Sequence, residues 1–376
     1  MRILIAPDKF RGSLEAEEVC QAMEAGIRLA YPEAEITAIQ LADGGEGTMQ
    51  ILTKLAAGKQ LTVSVQDPLG RPVNAKYGIS ADGKTAFIEM AAASGLNLLV
   101  PSEYNPLETS TFGTGQLIKC ALEQGISKVI LGIGGSATND GGIGMAAALG
   151  YVFFDKAGNV LKAVGGNLQY INRIESSDII PGLEDLQITV ACDVSNPLYG
   201  ENGAAWVYGP QKGADKQMIT SLDLGLRNLA DVACQKFLID VSHTPGTGAA
   251  GGLGAGCLWF LNATLKSGIG IVMEQARMEA MIQNSDLVIT GEGKVDKQTL
   301  EGKVVKGLAD ICRQHHVPLA VVCGTLDISA EEIRASGVTY ATSIINAPME
   351  LGTALSQANR LVQEATFNLV RLFFRK

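Results

Sequence analysis

Acidic residues end one apolar run after another in this chain, usually beside glycine. Asp8 follows the run 2–6. Asp43 and Glu46 follow the run 35–41, inside Asp43-Gly44-Gly45-Glu46-Gly47. Asp140 follows 128–133 and a glycine-rich loop, Asp193 follows 188–192, and Glu292 and Asp296 follow 287–290. In open α/β sheets, ligands bind beyond the carboxyl ends of the strands. Glycine lets the backbone approach a ligand closely. Carboxylates in such loops suit Mg²⁺, a hard ion that bridges protein to phosphate. A single one of these residues is more simply a loop carboxylate or a helix cap, but the repetition points to a Mg²⁺–phosphate site.

Three glycine loops accompany these carboxylates. The loop 132–142 reads Gly132-Ile133-Gly134-Gly135-Ser136-Ala137-Thr138-Asn139-Asp140-Gly141-Gly142 and lies between a predicted strand and a predicted helix. Its N–H groups and the helix start would form an anion site. It also fits G-x-G-x-x-A, with Asp155 at the end of a candidate next strand, a loose dinucleotide fingerprint. The loop 248–256, with Gly251, Gly252 and Gly254, would either cradle a phosphate or allow close helix packing. Gly291-Glu292-Gly293 is tighter and carries a charge. The string Gly78-Ile79-Ser80-Ala81-Asp82-Gly83-Lys84-Thr85 matches a phosphate-binding P-loop literally. That motif needs a strand, a loop and then a helix, whereas Asp82-Gly83 joins two β-like runs, so a hairpin is expected.

The sequence argues against several other chemistries. No G-x-S-x-G elbow occurs, and His243, His315 and His316 make no zinc spacing. A net charge of −9 argues against a nucleic-acid partner. The seven cysteines form no C-x-x-C pair and read as reduced thiols of a cytoplasmic protein. The opening apolar run is too short for a signal peptide. The uncharged stretch 242–265 carries Pro245 and several glycines, so it cannot be a membrane helix of ~20 apolar residues.

Short apolar runs alternating with helical patterns must position these loops, which is the signature of a parallel α/β sheet. Strands are expected over 2–6, 35–41, 128–133, 286–290, 319–323 and 339–344. A helix after the first strand carries Val19, Ala22, Met23, Gly26, Ile27 and Ala30 on one stripe, with Ser13 as its cap and Pro32 as its stop. A C-terminal helix carries Leu355, Ala358, Val362, Ala365, Leu369 and Leu372. Residues 60–90 alternate apolar and polar around two turns, as antiparallel hairpins do. The expected organisation is a discontinuous α/β domain of residues 1–60, 105–150 and 282–376. A mixed α/β domain of residues 61–104 and 151–281 is inserted in it.

At the loops the sequence resembles the type 1 glycerate kinase family, nearly end to end. The matching strings are Ala6-Pro7-Asp8-Lys9-Phe10-Arg11-Gly12-Ser13-Leu14, Leu41-Ala42-Asp43-Gly44-Gly45-Glu46-Gly47-Thr48, the loop 132–142, Ala191-Cys192-Asp193-Val194-Ser195-Asn196-Pro197-Leu198, the loop 248–256, and Ile289-Thr290-Gly291-Glu292-Gly293 continuing to Asp296 and Gly302-Lys303. One departure is local: Lys9 stands where the family carries serine, and Arg11 replaces a lysine and keeps its charge. The resemblance implies ATP-dependent phosphorylation of D-glycerate, usually to 2-phosphoglycerate. It also implies a flavodoxin-like, or Rossmann-like, parallel-sheet domain with the second α/β domain inserted and a cleft between them.

On that reading Asp193 orients or deprotonates the attacking hydroxyl, with Asp8 or Asp43 next in line. Glu292, Asp296 and Asp43 are the Mg²⁺ candidates. Arg11 and Lys303 would meet the glycerate carboxylate or the transferring phosphoryl group. The glycine loops, with Gly134, Gly135, Ser136, Asn139, Gly251, Gly252, Gly254, Gly291 and Gly293, would hold ATP. Two other readings stay open: an NAD-dependent oxidoreductase of a small hydroxy acid using Asp155, and a non-catalytic sugar-acid sensor. Homo-oligomer formation is left open.

Overall fold

The computed structural model describes residues 1–10, 12–41, 47–297, 299 and 304–374. In chain order its strands are β1 (Arg2–Ile5), β2 (Glu35–Ala38), β3 (Lys59–Gln66), β4 (Pro72–Ile79), β5 (Thr85–Glu89), β6 (Lys128–Gly132), β7 (Val152–Phe154), β8 (Arg173–Glu175), β9 (Gln187–Ala191), β10 (Thr264–Lys266), β11 (Leu287–Val295), β12 (Leu319–Leu326) and β13 (Tyr340–Ser343). The chain divides into two compact units, Met1–Asp43 with Ile269–Lys376, and Gly44–Gly268.

In the first unit the sheet order is β13-β12-β11-β1-β2, with every pair parallel. Counted along the unit, that is the 2-1-3-4-5 order of flavodoxin-like doubly wound sheets. Ile3, Leu4 and Ile5 are all buried, which explains the unbroken apolar run: a parallel sheet covered on both faces has no polar side. The helix Ala16–Ala30 buries Val19, Ala22, Met23, Gly26 and Ile27 as its periodicity predicts. Its N-cap is Glu15, not Ser13. The Glu15 N–H donates to Glu18 Oε2 at 2.8 Å, while the Ser13 hydroxyl closes the preceding turn onto the Phe10 carbonyl.

The C-terminal stripe is right at Ala358, Val362 and Leu369 but not at its ends. Helix Leu351–Ser356 stops before helix Ala358–Phe373 begins, so Leu355 lies outside the packed segment. The buried face then follows the 3.6-residue repeat through Leu361, Thr366 and Val370, leaving Leu372 exposed. The strand β11 is longer than expected. It runs through Gly291-Glu292-Gly293 to Val295 because β12 continues beside it, pairing Lys294 with Thr325 and Val295 with Leu326.

The second unit carries a six-stranded sheet in the order β10-β9-β6-β5-β4-β3. The strands β5, β6, β9 and β10 are parallel, and β4 and β3 add an antiparallel edge. The literal P-loop string is therefore the β4–β5 hairpin, with Asp82 accepting from Ser80 Oγ and the Lys84 N–H across its turn. Residues 105–150 were expected beside β1. Instead, β6 pairs with β5 and β9 within this unit, in the register Ile88↔Leu131 and Leu131↔Val190. The hairpin pattern of 60–90 concealed this, because β5 is both the last antiparallel strand and the first of the parallel run.

The helices Ala16–Ala30 and Ala358–Phe373 cross closely at Gly26, where a Cβ would run into the Gln363 carbonyl oxygen and meet Thr366 Cβ at 3.0 Å. Overpacking of this kind costs about 1–3 kcal/mol. Gly26→Ala should therefore shift the first urea transition to lower concentration; an unchanged transition would mean that the helices separate freely.

Candidate functional site

The carboxyl edges of the two sheets carry the candidate residues. In the first unit the strand order reverses between β1 and β11, which is where ligands bind in such sheets. Asp8 sits there. Its N–H donates to the Gly291 carbonyl at 2.9 Å, and its Oδ1 accepts the Lys9 N–H at 2.7 Å. Glu292 lies half-buried on β11 beside it. Gly291 and Gly293 are strand residues rather than a phosphate loop, and a Cβ on Gly291 would meet Met23 and Phe10.

Asp296, expected to bind metal, is held by Lys294, whose Nζ lies 3.4 Å from one oxygen, and it accepts the Thr299 N–H. Lys294 falls between Glu292 and Asp296 on the same face of the chain, since side chains alternate along a strand. Among the described residues no three His, Cys, Asp or Glu side chains gather into a metal-binding group. Arg11, Asp43 and Lys303 lie outside the described residues.

In the second unit the neighbouring strands β6 and β9 deliver a glycine loop and Asp193 to the same edge. Asp193 is exposed just past β9, and its Oδ1 accepts the Gly268 N–H at 2.9 Å, which orients the carboxylate. Glu89, at the end of β5, accepts the N–H groups of Gly47 and Met49 and so caps helix Thr48–Leu55. Nothing in the apolar pattern around it marked that role.

The loop 132–142 is organised from inside by Asp140. This carboxylate is fully buried and accepts four bonds: from the Thr111 N–H and hydroxyl at 2.7 and 2.8 Å, and from the Gly142 and Gly144 N–H groups at 3.1 and 3.2 Å. Burial pushes its carboxyl pKa up, and the four donors pull it back. The expected anion site at the start of helix Ile143–Ala148 is thus filled by the chain's own carboxylate.

What remains open is the outer turn of the loop. The N–H groups of Gly134, Gly135 and Ser136 have no acceptor among the described residues. Gly134 and Gly135 are exposed, Gly135 adopts φ +74°, and a Cβ on Gly134 would meet nothing within 4 Å. The turn is fixed from behind: the Leu96 N–H donates to the Gly135 carbonyl, and the Ala137 N–H to Ser94. Successive free N–H groups make an anion-binding concavity.

The second glycine loop serves that one. Gly251 and Gly252 are buried with φ of +68° and +89°, inside the kinked helix Ala249–Leu261. A Cβ on Gly251 would strike the Thr138 carbonyl, and one on Gly252 would stand 3.0 Å from Gly141 Cα. Gly254 packs the same way on the Gly246 backbone. Packing alone accounts for the need for glycine at all three.

Asn139 is fully buried, and neither its Oδ1 nor its Nδ2 has a partner among the described residues; the same holds for Thr138 Oγ1. Lys212, which no motif flagged, lies 1% exposed under the loop. Its Nζ donates to Ser136 Oγ at 2.7 Å and to the Thr138 carbonyl at 2.6 Å. Burial pulls its ammonium down to about 7, against the opposing field of Asp140. Asp155, the acid of the dinucleotide fingerprint, closes its own turn after β7, accepting from Ala157 and Asn159. Because β7 pairs with β8 and not with the parallel sheet, the fingerprint has no βαβ unit behind it.

The chain matches the family model described as the glycerate kinase family over residues 3–374. It is 45% identical over 369 residues to an Escherichia coli protein named glycerate 2-kinase, covering 98% of this chain and 97% of that one. A Halalkalibacterium halodurans protein named glycerate kinase is 44% identical over 367 residues, with 98% and 97% covered. A crystal structure described as glycerate kinase 2 from Salmonella typhimurium superposes with a TM-score of 0.89 at 43% identity, covering 99% of this chain and 98% of that one. No described helix is long and apolar enough to cross a membrane.

Asp140 is fully buried and holds four donors. Leaving buried donors unsatisfied costs about 1–3 kcal/mol each, so Asp140→Ala should destabilise the second unit by at least about 3 kcal/mol. Thermal unfolding followed by circular dichroism reads the loss; a midpoint within a degree of wild type would show that the loop is held by other contacts.

Proposed function

The chain belongs to the glycerate kinase family, and from that premise we propose that it transfers the γ-phosphoryl group of ATP to D-glycerate, giving 2-phosphoglycerate. The observation that carries this reading is the open turn Gly134–Gly135–Ser136, where both glycines are exposed, no packing contact explains Gly134, and the three N–H groups have no acceptor among the described residues. Such a turn suits the phosphates of a nucleotide.

Adjacent strands lie about 4.8 Å apart. The turn at the end of β6 and Asp193 at the end of β9 therefore reach neighbouring points, one for the phosphates and one for the attacking hydroxyl. Phosphoryl transfer asks little more than positioning and charge neutralisation. The carboxylate of Asp193, oriented by the Gly268 N–H, accepts the hydroxyl proton as the oxygen attacks phosphorus. Asp8 is the next candidate for that role, and Arg11 and Lys303 for the glycerate carboxylate and the transferring group. Mg²⁺ enters as the substrate complex MgATP, with Glu292, Asp296 and Asp43 as the carboxylates to meet it. Attack by the 2-hydroxyl is favoured by the name of the Escherichia coli relative. A cytoplasmic setting fits the seven free cysteines.

A coupled assay of glycerate-dependent ADP release tests the reaction, and phosphorus–proton NMR correlation assigns the ester to C2 or C3. ADP release should require both D-glycerate and a divalent cation. Full turnover after exhaustive chelation would remove MgATP from the scheme. No ADP release with glycerate would return the chain to a sensor.

Asp193→Asn keeps shape and removes charge. General-base contributions are typically about 10²–10⁴-fold, so kcat per folded molecule should fall by that order while KM for glycerate changes much less. A kcat within threefold of wild type would take Asp193 out of the mechanism.

A further inference from the structure

The buried ammonium of Lys212 has no place in the chemistry described so far. Burying a lysine is costly unless its charge is paired and its hydrogens are accepted. Among the described residues the ammonium's hydrogen bonds all go to the loop that carries the open turn. Lys212 ends the single turn Pro210–Lys212, ahead of helix Lys216–Phe237. The chain direction there is fixed by Gly213, at φ +88°, where a Cβ would come within 2.7 Å of Tyr104 Cβ. From that position the side chain reaches across to residues far away in sequence. It takes the Ser136 hydroxyl and the Thr138 carbonyl, which flank Ala137.

We propose that Lys212 is a positioning residue for nucleotide binding: its ammonium holds Ser136 and Thr138 so that the Gly134, Gly135 and Ser136 N–H groups stay aimed at the phosphates, and its buried charge adds to the field those phosphates meet. This inference rests on the reading of the turn as the phosphate site. Three observations carry it. The first is the pair of short bonds to both sides of the turn. The second is the burial of the ammonium against the same loop whose Gly134, Gly135 and Ser136 N–H groups have no acceptor among the described residues. The third is spare polar capacity in the same loop, at Thr138 Oγ1 and at both ends of the Asn139 amide, all buried and without partners among the described residues. A loop built only for packing would not bring a cation and an uncommitted amide together there.

Asp140 is the charged group whose field acts on Lys212, and it is committed to four donors of its own. A nucleotide bound above the turn adds negative charge beside an ammonium that titrates at about 7. Its protonated form is then favoured, so binding takes up part of a proton above neutral pH.

The test compares wild type with Lys212→Met, which keeps the stem and removes the charge, and with Lys212→Gln, which keeps donors and serves if the first variant does not fold. Steady-state kinetics are normalised to folded protein by circular dichroism. ATP binding is followed by calorimetry at pH 7.5 in two buffers of different ionisation enthalpy. The expected result is a rise of tenfold or more in KM for ATP, with kcat within threefold of wild type. The buffer-dependent proton uptake of the wild type should also shrink in the variant. A purely structural lysine predicts a lower melting temperature with KM for ATP within twofold of wild type and unchanged proton uptake, and that result overturns the inference. Failure of wild type itself to bind ATP would overturn the proposed reaction and this inference with it, and is read before any variant is made.

Discussion

Asp140 is the interaction on which the second unit's site depends. Its carboxylate is fully buried, and four donors from Thr111, Gly142 and Gly144 meet it. Those bonds tie the start of helix Phe112–Glu123 to the start of helix Ile143–Ala148. They also consume the N–H groups that a ligand would otherwise take from the second helix. The loop is thereby divided into an inner half that is bonded to itself and an outer turn whose N–H groups have no acceptor among the described residues. Glycine plays a different part in the two halves. Gly142 admits the backbone of the facing helix at Gly256 and Leu253, and Gly141 admits the side chain of Leu229, whereas a Cβ on Gly134 would meet nothing within 4 Å among the described residues.

The second glycine loop follows from the first. Thr138 and Asn139 can lie against the helix Ala249–Leu261 only if Gly251 has no side chain, and Gly141 Cα can approach Gly252 only on the same condition. The Gly141 N–H then donates to the Gly251 carbonyl at 3.0 Å, so the two loops form one bonded layer. A helix that turns through left-handed dihedrals at three consecutive residues, Ala250, Gly251 and Gly252, is strained unless its surroundings fix it. The Asp140 loop supplies that constraint, and the kinked helix supplies a floor for the loop.

These relations explain what the sequence made legible. Parallel strands buried on both faces announce themselves as unbroken apolar runs, so β1, β6, β9, β11 and β12 were readable, as was the hairpin that counterfeits a P-loop. Pairing was not readable for β6, because residues that satisfy one parallel neighbour satisfy another; the partner is chosen by chain closure, which leaves no mark in local pattern. The candidate acids at strand ends were found by position, yet position cannot tell an acid that faces solvent from one that faces the protein. Asp193 and Asp140 follow similar runs and differ completely in burial. Lys212 left no signal, since a lone lysine between glycines and a helix cap reads as surface. Only its reach to Ser136 and Thr138 gives it meaning, and both lie more than 70 positions away.

An acidic chain that handles phosphates must create positive potential locally. With a net charge of −9, a broad basic face is not available, and a surface lysine would be screened within about 8 Å at physiological salt. Main-chain N–H dipoles need no net charge, and their orientation is fixed before the ligand arrives. A single ammonium placed beneath them, out of water, acts through a medium of lower dielectric and is worth more than the same charge on the surface. The burial that makes Lys212 effective also lowers its affinity for its proton. Asp140 counters that loss while spending its own oxygens on the loop. The same carboxylate thus shapes the turn and opposes the loss of the proton from the cation beneath it.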